Sequence, residues 1–257
     1  MTPRRLALVT GAAQGIGAAV VRALAHEGFR VAATDMNAEG LCGLVTEQTV
    51  AGHEVHGRVL DVRDTTAVTR AVQEIEDTLG PIDVLVNVAG VLRVGSVLEA
   101  TDTDWQVVFD VNAFGVFRLS KAVARHMVGR RRGAIVTVAS NAAGVPRMNM
   151  GAYAASKAAA AHFTRCLGLE LAGSGIRCNV VSPGSTDTPM QRGMWTEGTD
   201  AAATVAGNPQ AYKVGIPLGR IADAEDVAAA VVFLASDAAR HITMHDLYVD
   251  GGATLRA

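Results

Sequence analysis

Thr10-Gly-Ala-Ala-Gln-Gly-Ile-Gly17 follows the apolar run Leu6–Thr10 and leads into a segment with helical periodicity. Glycines at positions 11, 15 and 17 allow a tight turn and let the backbone approach a pyrophosphate at the N-terminus of the following helix. The spacing G-x-x-x-G-x-G differs from the G-x-G-x-x-G pattern of many dinucleotide-binding turns. A plain turn between a strand and a helix is the alternative. We interpret the stretch as a phosphate-binding turn that opens an α/β fold.

The rest of the chain alternates short apolar runs with longer segments of helical spacing. Strands are predicted at Leu6–Thr10, Arg30–Asp35, Glu54–Asp61, Val84–Asn87, Gly133–Ala139, Arg177–Ser182 and Asp246–Val249. Helices are predicted at Gly15–Glu27, Ala38–Ala51, Thr65–Leu79, Asp102–Val128, Gly151–Ala172 and Ala224–Ala235. Strands that are apolar on both faces and separated by helices are typical of a covered, doubly wound parallel sheet. We therefore predict one α/β domain over residues 1–257, with about seven strands and helices on both faces.

One segment, from Asp187 to about Lys213, departs from this alternation. It is rich in Gly, Thr, Met, Asn and Pro and carries a tryptophan. The segment is longer than ordinary connections in compact domains, and such loops are often lids or binding loops. A short helical excursion without a role is the alternative. We predict a substrate lid over residues 187–213.

Composition excludes several classes of protein. Hydrophobic residues make up 49% of the chain, charged residues 19%, and the net charge is −2, which favours a folded protein without nucleic acid or an anionic membrane as partner. No apolar run reaches the roughly 20 residues that span a bilayer. Three scattered cysteines argue against a disulfide framework and a zinc site, so we predict no metal and a reducing, cytoplasmic location.

Acidic and small residues end three further predicted strands on the side where ligands bind to open α/β sheets. A carboxylate at Asp35 can accept hydrogen bonds from ribose hydroxyls and repels a 2′-phosphate, which predicts NAD rather than NADP. Asp61-Val62 ends the third strand, where the adenine is expected. Asn87-Val-Ala-Gly90 ends the fourth strand, where Ala89 and Gly90 let a cofactor approach.

Tyr153 and Lys157 form the candidate chemical centre. They are four residues apart at the start of a predicted helix, so their side chains share one face. We expect the ammonium to lower the pKa of the phenol, as a general base near neutral pH requires. Ser140, at the end of the preceding strand, can bond the reacting oxygen, and Asn112 can hold a water beside Lys157. The chain has three Tyr and three Lys, so a chance pair at this spacing is rare.

Together these stretches, with Pro183-Gly-Ser-Thr-Asp-Thr188, resemble the short-chain dehydrogenase/reductase family from end to end. The resemblance implies a Rossmann-type sheet, a nicotinamide cofactor, a tetramer, and a Ser140, Tyr153 and Lys157 centre supported by Asn112. It also implies that Lys157 bonds the nicotinamide ribose. The implied cofactor contacts are Gly11, Gln14, Gly15, Ile16, Gly17, Asp35, Asp61, Val62, Asn87, Ala89, Gly90, Tyr153, Lys157, Pro183, Gly184, Thr186 and Thr188.

Several loops resemble those members of the family that oxidise a carboxylated cyclohexadiene diol to a catechol in siderophore biosynthesis. These loops include Ala89–Arg93, Val145–Met150 and Gly175–Thr188. Arg147 is our first candidate to bind the substrate carboxylate, because a guanidinium binds carboxylates bidentately, and Arg93 is the second. We further predict substrate contacts from Met150, Gln191 and Trp195.

Three alternatives stay open. The substrate is the amino analogue of that diol in secondary metabolism, or the enzyme is a generic reductase of ketones or 3-oxoacyl thioesters that uses NADPH. Asp35 and the Arg147 loop argue against the generic reductase. The third alternative is a nicotinamide-binding regulatory protein without catalysis, against which the complete set of Asn112, Ser140, Tyr153 and Lys157 argues.

Overall fold

A parallel sheet runs through the centre of the molecule. The computed structural model describes residues 4–195 and 200–255, and in these ranges the sheet has seven strands in the order β3-β2-β1-β4-β5-β6-β7. Every neighbouring pair is parallel. The strands are β1 Leu6–Thr10, β2 Arg30–Asp35, β3 Val55–Val59, β4 Ile82–Asn87, β5 Gly133–Val138, β6 Ile176–Pro183 and β7 Asp246–Val249. This order confirms the predicted doubly wound α/β fold.

Helices cover both faces of this sheet. Their bounds are α1 Gly15–His26, α2 Ala38–Val50, α3 Thr65–Thr78, α4 Asp102–Phe109, α5 Val116–Arg130, α6 Gly151–Leu171, α7 Pro189–Arg192, α8 Ala201–Ala206 and α9 Ala224–Ala235. Alternate side chains of each strand point to opposite faces. Ala7 and Val9 of β1 therefore join one core with α1, α2 and α9, whereas Leu6 and Leu8 join the core beneath α3 and α5.

The helix predicted over Asp102–Val128 is interrupted. Residues Asp110–Gly115, between α4 and α5, form a π-helical segment, a feature found frequently at functional sites. Gly115 packs so closely on Val62 that a Cβ there would come within 2.7 Å of the valine Cγ2. The wider turn also places Asn112, which is fully buried, against the backbone of Val91. Apolar periodicity does not reveal the extra residue in this turn.

The segment 187–213 contains two short helices, α7 and α8, and a 3₁₀ turn at Pro209–Ala211. Residues 196–199 of the predicted lid lie outside the described residues. Thr188 caps α7 by accepting a hydrogen bond from the amide of Gln191. Among the described residues, no helix combines the length and the apolar character needed to cross a membrane.

Candidate active site

Ser140, Tyr153 and Lys157 lie together at the carboxyl edge of the sheet. Ser140 follows β5, whereas Tyr153 and Lys157 lie in the first turns of α6. The hydroxyl group of Ser140 lies close enough to that of Tyr153 to influence its protonation. The Nζ of Lys157 donates to the carbonyl of Val138 at 2.9 Å and lies 5.9 Å from the centroid of the Tyr153 ring. The structure therefore brings the predicted trio into one cluster.

Burial dominates the protonation of this cluster. It raises the pKa of the Tyr153 phenol, and the nearby hydroxyl of Ser140 opposes the rise. Burial also lowers the pKa of the Lys157 ammonium to about 8. The prediction that Lys157 gives the phenol a lowered pKa is wrong for the chain by itself, because desolvation of the phenolate is the larger effect. The phenol therefore needs further positive charge nearby to serve as a base close to neutral pH.

Asn112 is tied to this cluster through Ser156, a residue that the sequence analysis did not identify. The Nδ2 amide of Asn112 donates to Ser156 Oγ at 3.0 Å and to the carbonyl of Val91 at 2.9 Å, and its Oδ1 accepts from the Val91 amide at 2.8 Å. Ser156 Oγ donates to the carbonyl of Tyr153 at 2.7 Å. The π-helical segment is thereby connected to the helix that carries the tyrosine and the lysine.

The glycine-rich turn is packed tightly against the end of β4. Gly11 and Gly15 have positive φ angles of 65° and 53°, which favour glycine. A Cβ on Gly11 would lie 2.7 Å from Ala89 Cα, and a Cβ on Gly17 would collide with the carbonyl oxygen of Gly11. Thr10 Oγ1 holds the contact by accepting from the amides of Val88 and Ala89 at 3.1 and 3.2 Å. The turn thus leaves the N-terminus of α1 open to a phosphate group.

Asp35 ends β2 beside this turn. Its Oδ2 accepts from the amide of Ala13 at 3.0 Å and its Oδ1 accepts from the amide of Asn37 at 2.8 Å. The partly exposed carboxylate keeps lone pairs that can accept bonds from a ribose diol. A tight glycine turn, a helix N-terminus and this carboxylate are the features that fit a dinucleotide.

The other predicted cofactor residues differ in burial and in their contacts. Asp61 forms a bidentate ion pair with Arg63, which lowers the pKa of the carboxyl. Val62 is buried against Gly115, and Gly90 lies against Asn112 Oδ1 and Lys157 Nζ. The side chain of Asn87 faces the interior, where its amide donates to Ser120 and Thr137 at 3.1 and 3.4 Å. Gln14 precedes α1 and is exposed.

A cavity of about 590 Å³ opens above Ser140 and Tyr153. One side of it is formed by residues of the cofactor prediction, Ile16, Pro183, Gly184, Thr186 and Thr188. The other side is formed by the predicted substrate contacts Arg147, Met150, Gln191 and Trp195, together with Met148, Met190 and Met194. The cavity therefore lies where the strand ends meet the segment 187–213.

Arg93 is placed elsewhere. Its side chain is exposed and its Nε lies 3.7 Å from a carboxylate oxygen of Asp104 on α4. The neighbouring residues Leu92 and Val94 line the cavity instead. The loop after β4 turns its apolar side chains inward, so the prediction of Arg93 as a carboxylate ligand is not supported by its position.

The charge of the cavity is positive. Among the described residues, the charged side chains that line it are Arg147 and Lys213, and the sequence analysis did not select Lys213. Burial lowers the pKa of the Arg147 guanidinium, and the carboxylate of Asp250 opposes this change. Burial and the charge of Arg147 both lower the pKa of Lys213. In the described ranges, no group of three or more His, Cys, Asp or Glu side chains is arranged to hold a metal ion.

Known proteins are similar to this chain over nearly its whole length. A family model described as enoyl-(acyl carrier protein) reductase matches residues 11–254. The 2,3-dihydro-2,3-dihydroxybenzoate dehydrogenase of Bacillus subtilis (strain 168) is 52% identical over 98% of this chain and 96% of its own length. The enzyme of the same name from Escherichia coli (strain K12) is 45% identical over 97% and 96%. The crystal structure of gox2181 has a TM-score of 0.89 and 35% identity, covering 98% of this chain and 96% of that one.

Proposed function

This chain belongs to the short-chain dehydrogenase/reductase family, and we propose that it oxidises 2,3-dihydro-2,3-dihydroxybenzoate to 2,3-dihydroxybenzoate with NAD. The observation that carries the proposal is the cavity itself. Its lining residues include the hydroxyl-bearing Ser140 and Tyr153, four methionines, and the cations Arg147 and Lys213. A flat ring that bears hydroxyl groups and a carboxylate matches each of these surfaces.

The cofactor of this proposal is NAD, bound across the carboxyl edge of the sheet. Gly11, Gln14, Gly15, Ile16 and Gly17 would hold the pyrophosphate, and Asp35 would bond the adenosine ribose. Because Asp35 already accepts two backbone amides, its charge is fixed beside the ribose, where it repels a 2′-phosphate. Asp35→Ser should reduce the preference for NAD over NADP, while the matched exposed acid Glu39→Gln should leave it unchanged.

The chain contributes a proton acceptor and its supports. Tyr153 Oη takes the proton of the ring hydroxyl, and Ser140 bonds that hydroxyl oxygen as it becomes a carbonyl. When bound, an oxidised nicotinamide would supply the hydride acceptor and a further positive charge. Lys157, 5.9 Å from the tyrosine ring, adds a second positive charge that favours the phenolate. In the resulting ketone the neighbouring ring carbon loses its proton and the carbonyl oxygen gains one, which gives the catechol, and aromatisation makes the sequence favourable.

Arg147 is the proposed ligand of the substrate carboxylate. Its guanidinium is partly buried at the cavity and makes no hydrogen bond or ion pair with the residues that the structure describes. Such a group is ready to bind a carboxylate bidentately. Met150, Gln191 and Trp195 are proposed to pack on the ring as the lid over 187–213 closes. The whole chain would then act as one NAD-binding domain.

The setting of this activity is part of the proposal. A dehydrogenase that makes 2,3-dihydroxybenzoate serves the biosynthesis of catechol siderophores, and we place the enzyme in the cytoplasm. We also propose a homotetramer that is assembled through α5 and α6. These helices and the π-helical segment expose Phe114, Phe117 and Leu169 at 53%, 42% and 69%. Exposed aromatic and aliphatic side chains on adjacent helices support an interface between copies of the chain.

Turnover assays test the proposed reaction. The protein is mixed with NAD and, separately, with the diol acid, its amino analogue 2,3-dihydro-3-hydroxyanthranilate, or a 3-oxoacyl thioester with NADPH. We expect formation of NADH and 2,3-dihydroxybenzoate with the diol acid at the highest kcat/KM. Faster turnover of the amino analogue would identify that compound as the substrate and place the enzyme in secondary metabolism. Reduction of the thioester alone would overturn the proposal.

A further inference from the structure

Lys213 lies on a closed hairpin that faces the cavity. Asn208 and Lys213 exchange two backbone hydrogen bonds, each of 2.9 Å, around the 3₁₀ turn Pro209–Ala211. Tyr212 completes the turn with a positive φ of 53°. The exchange is that of an antiparallel bridge and fixes the backbone on either side of it. The Cα of Lys213 is therefore held in place by the hairpin.

The two sides of this hairpin are packed together at its base. A Cβ on Gly207 would lie 2.5 Å from the amide nitrogen of Gly215, and a Cβ on Gly215 would collide with the carbonyl of Val205. The amide of Ile216 donates to the same carbonyl of Val205 at 2.9 Å. Because neither glycine has a Cβ, the backbone before the hairpin can lie directly against the backbone after it. Lys213 is consequently presented to the cavity from a rigid support.

Arg147 faces the same cavity from the loop that follows β5. The charge of Arg147 lowers the pKa of Lys213, so the two cations are close enough to repel each other. Among the residues that the structure describes, neither side chain has a hydrogen-bonding or ion-pair partner. The nearest anionic group acting on Arg147 is Asp250, whose oxygens already accept bonds from Asn141, Gly252 and Thr254.

Lys213 is exposed to solvent and Arg147 is partly buried, and an anion bound between the two cations would relieve their mutual repulsion. The remaining side chains that line the cavity in the described ranges are uncharged, so no acidic residue there competes for the two cations. An anion that both contact removes their mutual repulsion and gains two charge-assisted interactions. The two cations together should therefore bind a carboxylate more tightly than a single arginine would.

We propose that Lys213 is a second ligand of the substrate carboxylate, which it binds together with Arg147. This inference rests on the proposed function, since the anion is the carboxylate of the cyclohexadiene substrate. Because Lys213 ends the segment 187–213, the carboxylate joins that segment to the loop of Arg147. A nucleotide phosphate is the alternative anion for these two cations, and the test separates the two.

The first experiment compares Lys213→Met with Lys213→Arg and with Arg240→Met. Arg240 is exposed after α9 and does not line the cavity, so it is a control for the loss of one exposed positive charge. Steady-state kinetics are measured with the diol acid and with cyclohexa-3,5-diene-1,2-diol, which lacks the carboxylate. For Lys213→Met we expect the KM of the diol acid to rise about tenfold, the loss typical of a charge-assisted bond, with kcat nearly unchanged.

The uncarboxylated diol and NAD should keep their KM values in Lys213→Met, and Lys213→Arg should recover most of the affinity for the acid. An equal rise of KM for both diols, or an unchanged KM for the acid, would overturn the inference. A rise confined to the KM of NAD would assign Lys213 to the nucleotide instead and would also overturn it. Arg240→Met should behave as the unmodified protein with every substrate.

A second experiment works without turnover. Calorimetry measures the binding of 2,3-dihydroxybenzoate and of catechol to the protein with NAD and to the same variants. The inference predicts that Lys213→Met weakens 2,3-dihydroxybenzoate about tenfold and leaves catechol unchanged. Equal affinities of unmodified protein and variant for 2,3-dihydroxybenzoate would refute it. If the protein oxidises neither diol, the proposed function fails, but this binding comparison still decides the role of Lys213.

Discussion

Asn112 donates a hydrogen bond of 3.0 Å to the hydroxyl of Ser156, and both side chains are fully buried. Ser156 donates in turn to the carbonyl of Tyr153 at 2.7 Å, so the π-helical segment is joined to the first turn of α6. This contact fixes the position of Tyr153 relative to the end of β4. The π-helical segment, although about 40 residues before Tyr153 in the sequence, is thereby connected to the candidate base.

Ser156→Ala should lower both stability and turnover. The substitution leaves a buried amide hydrogen of Asn112 without this partner, which costs about 1–3 kcal/mol of unfolding free energy. Urea unfolding and kcat are measured side by side. Ser120→Ala is the matched control, because Ser120 is also buried and accepts from the amide of Asn87 at 3.1 Å. We expect a similar stability loss for both variants and a fall of kcat for Ser156→Ala; equal kcat values would remove Ser156 from the positioning of Tyr153.

Tyr153→Phe should abolish turnover while NAD still binds. The change removes the proton acceptor but keeps the aromatic ring that fills the site, so we expect a loss of about 10²–10⁴ in kcat. NADH absorbance measures turnover, and calorimetry measures NAD affinity. Tyr212→Phe is the matched control, since Tyr212 is 87% exposed on the hairpin. Activity of Tyr153→Phe within a few-fold of the unmodified protein would refute the assignment.

Gly17→Ala should prevent nucleotide binding and destabilise the fold. The new methyl group would collide with the carbonyl of Gly11, and backbone atoms cannot move aside as a flexible side chain does. Gly43→Ala is the matched control, because a Cβ there meets nothing within 4 Å and α2 gains a better helix former. Thermal unfolding with and without NAD separates the effects: Gly17→Ala should lose the shift that NAD causes, and Gly43→Ala should keep it. An NAD-induced shift of normal size in Gly17→Ala would contradict the proposed phosphate site.

Lys157 should make stability depend on pH in a defined window. Burial lowers its pKa in the folded chain from 10.5 to about 8, so the unfolded state binds more protons between these values. The contribution of Lys157 to unfolding free energy therefore rises with pH above about 8. Relative to Lys157→Met, the unmodified protein should gain about 2 kcal/mol between pH 7 and 9.5, measured by urea unfolding. A constant difference, or one that shrinks with pH, would contradict the buried position.

Local sequence patterns were sufficient for the framework of the fold. Short sequence spacings define the glycine turn, the strand ends and the Tyr153 and Lys157 pair. Residues a few positions apart have relative positions that the local backbone geometry sets, so these features can be predicted without knowledge of distant contacts. Strands β1, β2 and β7 begin and end at the predicted residues because apolar runs have sharp polar boundaries. Ser140 follows β5 and Tyr153 lies in the first turn of α6, so both lie at the carboxyl edge of the sheet that the predicted topology implies.

Features that depend on distant contacts were not predictable in this way. The π-helical segment arises from the packing of Gly115 on Val62 and of Asn112 on Val91, none of which changes the apolar periodicity. Arg93 was selected for its place in the sequence, but its loop directs it outward to Asp104. Lys213 was overlooked because only the closed hairpin brings it to the cavity. The raised pKa of Tyr153 follows from burial, which the i, i+4 spacing does not report.

The most direct test of the account follows the ring hydrogens through the reaction. The substrate is 2,3-dihydro-2,3-dihydroxybenzoate with deuterium on both hydroxyl-bearing carbons, and mass spectrometry locates the label after complete turnover with NAD. Oxidation followed by aromatisation predicts one deuterium in the reduced nucleotide, the other in water, and 2,3-dihydroxybenzoate that carries neither. Release of both deuterium atoms to water, without labelled nucleotide, would contradict hydride transfer and with it the assignment of this site as a dehydrogenase.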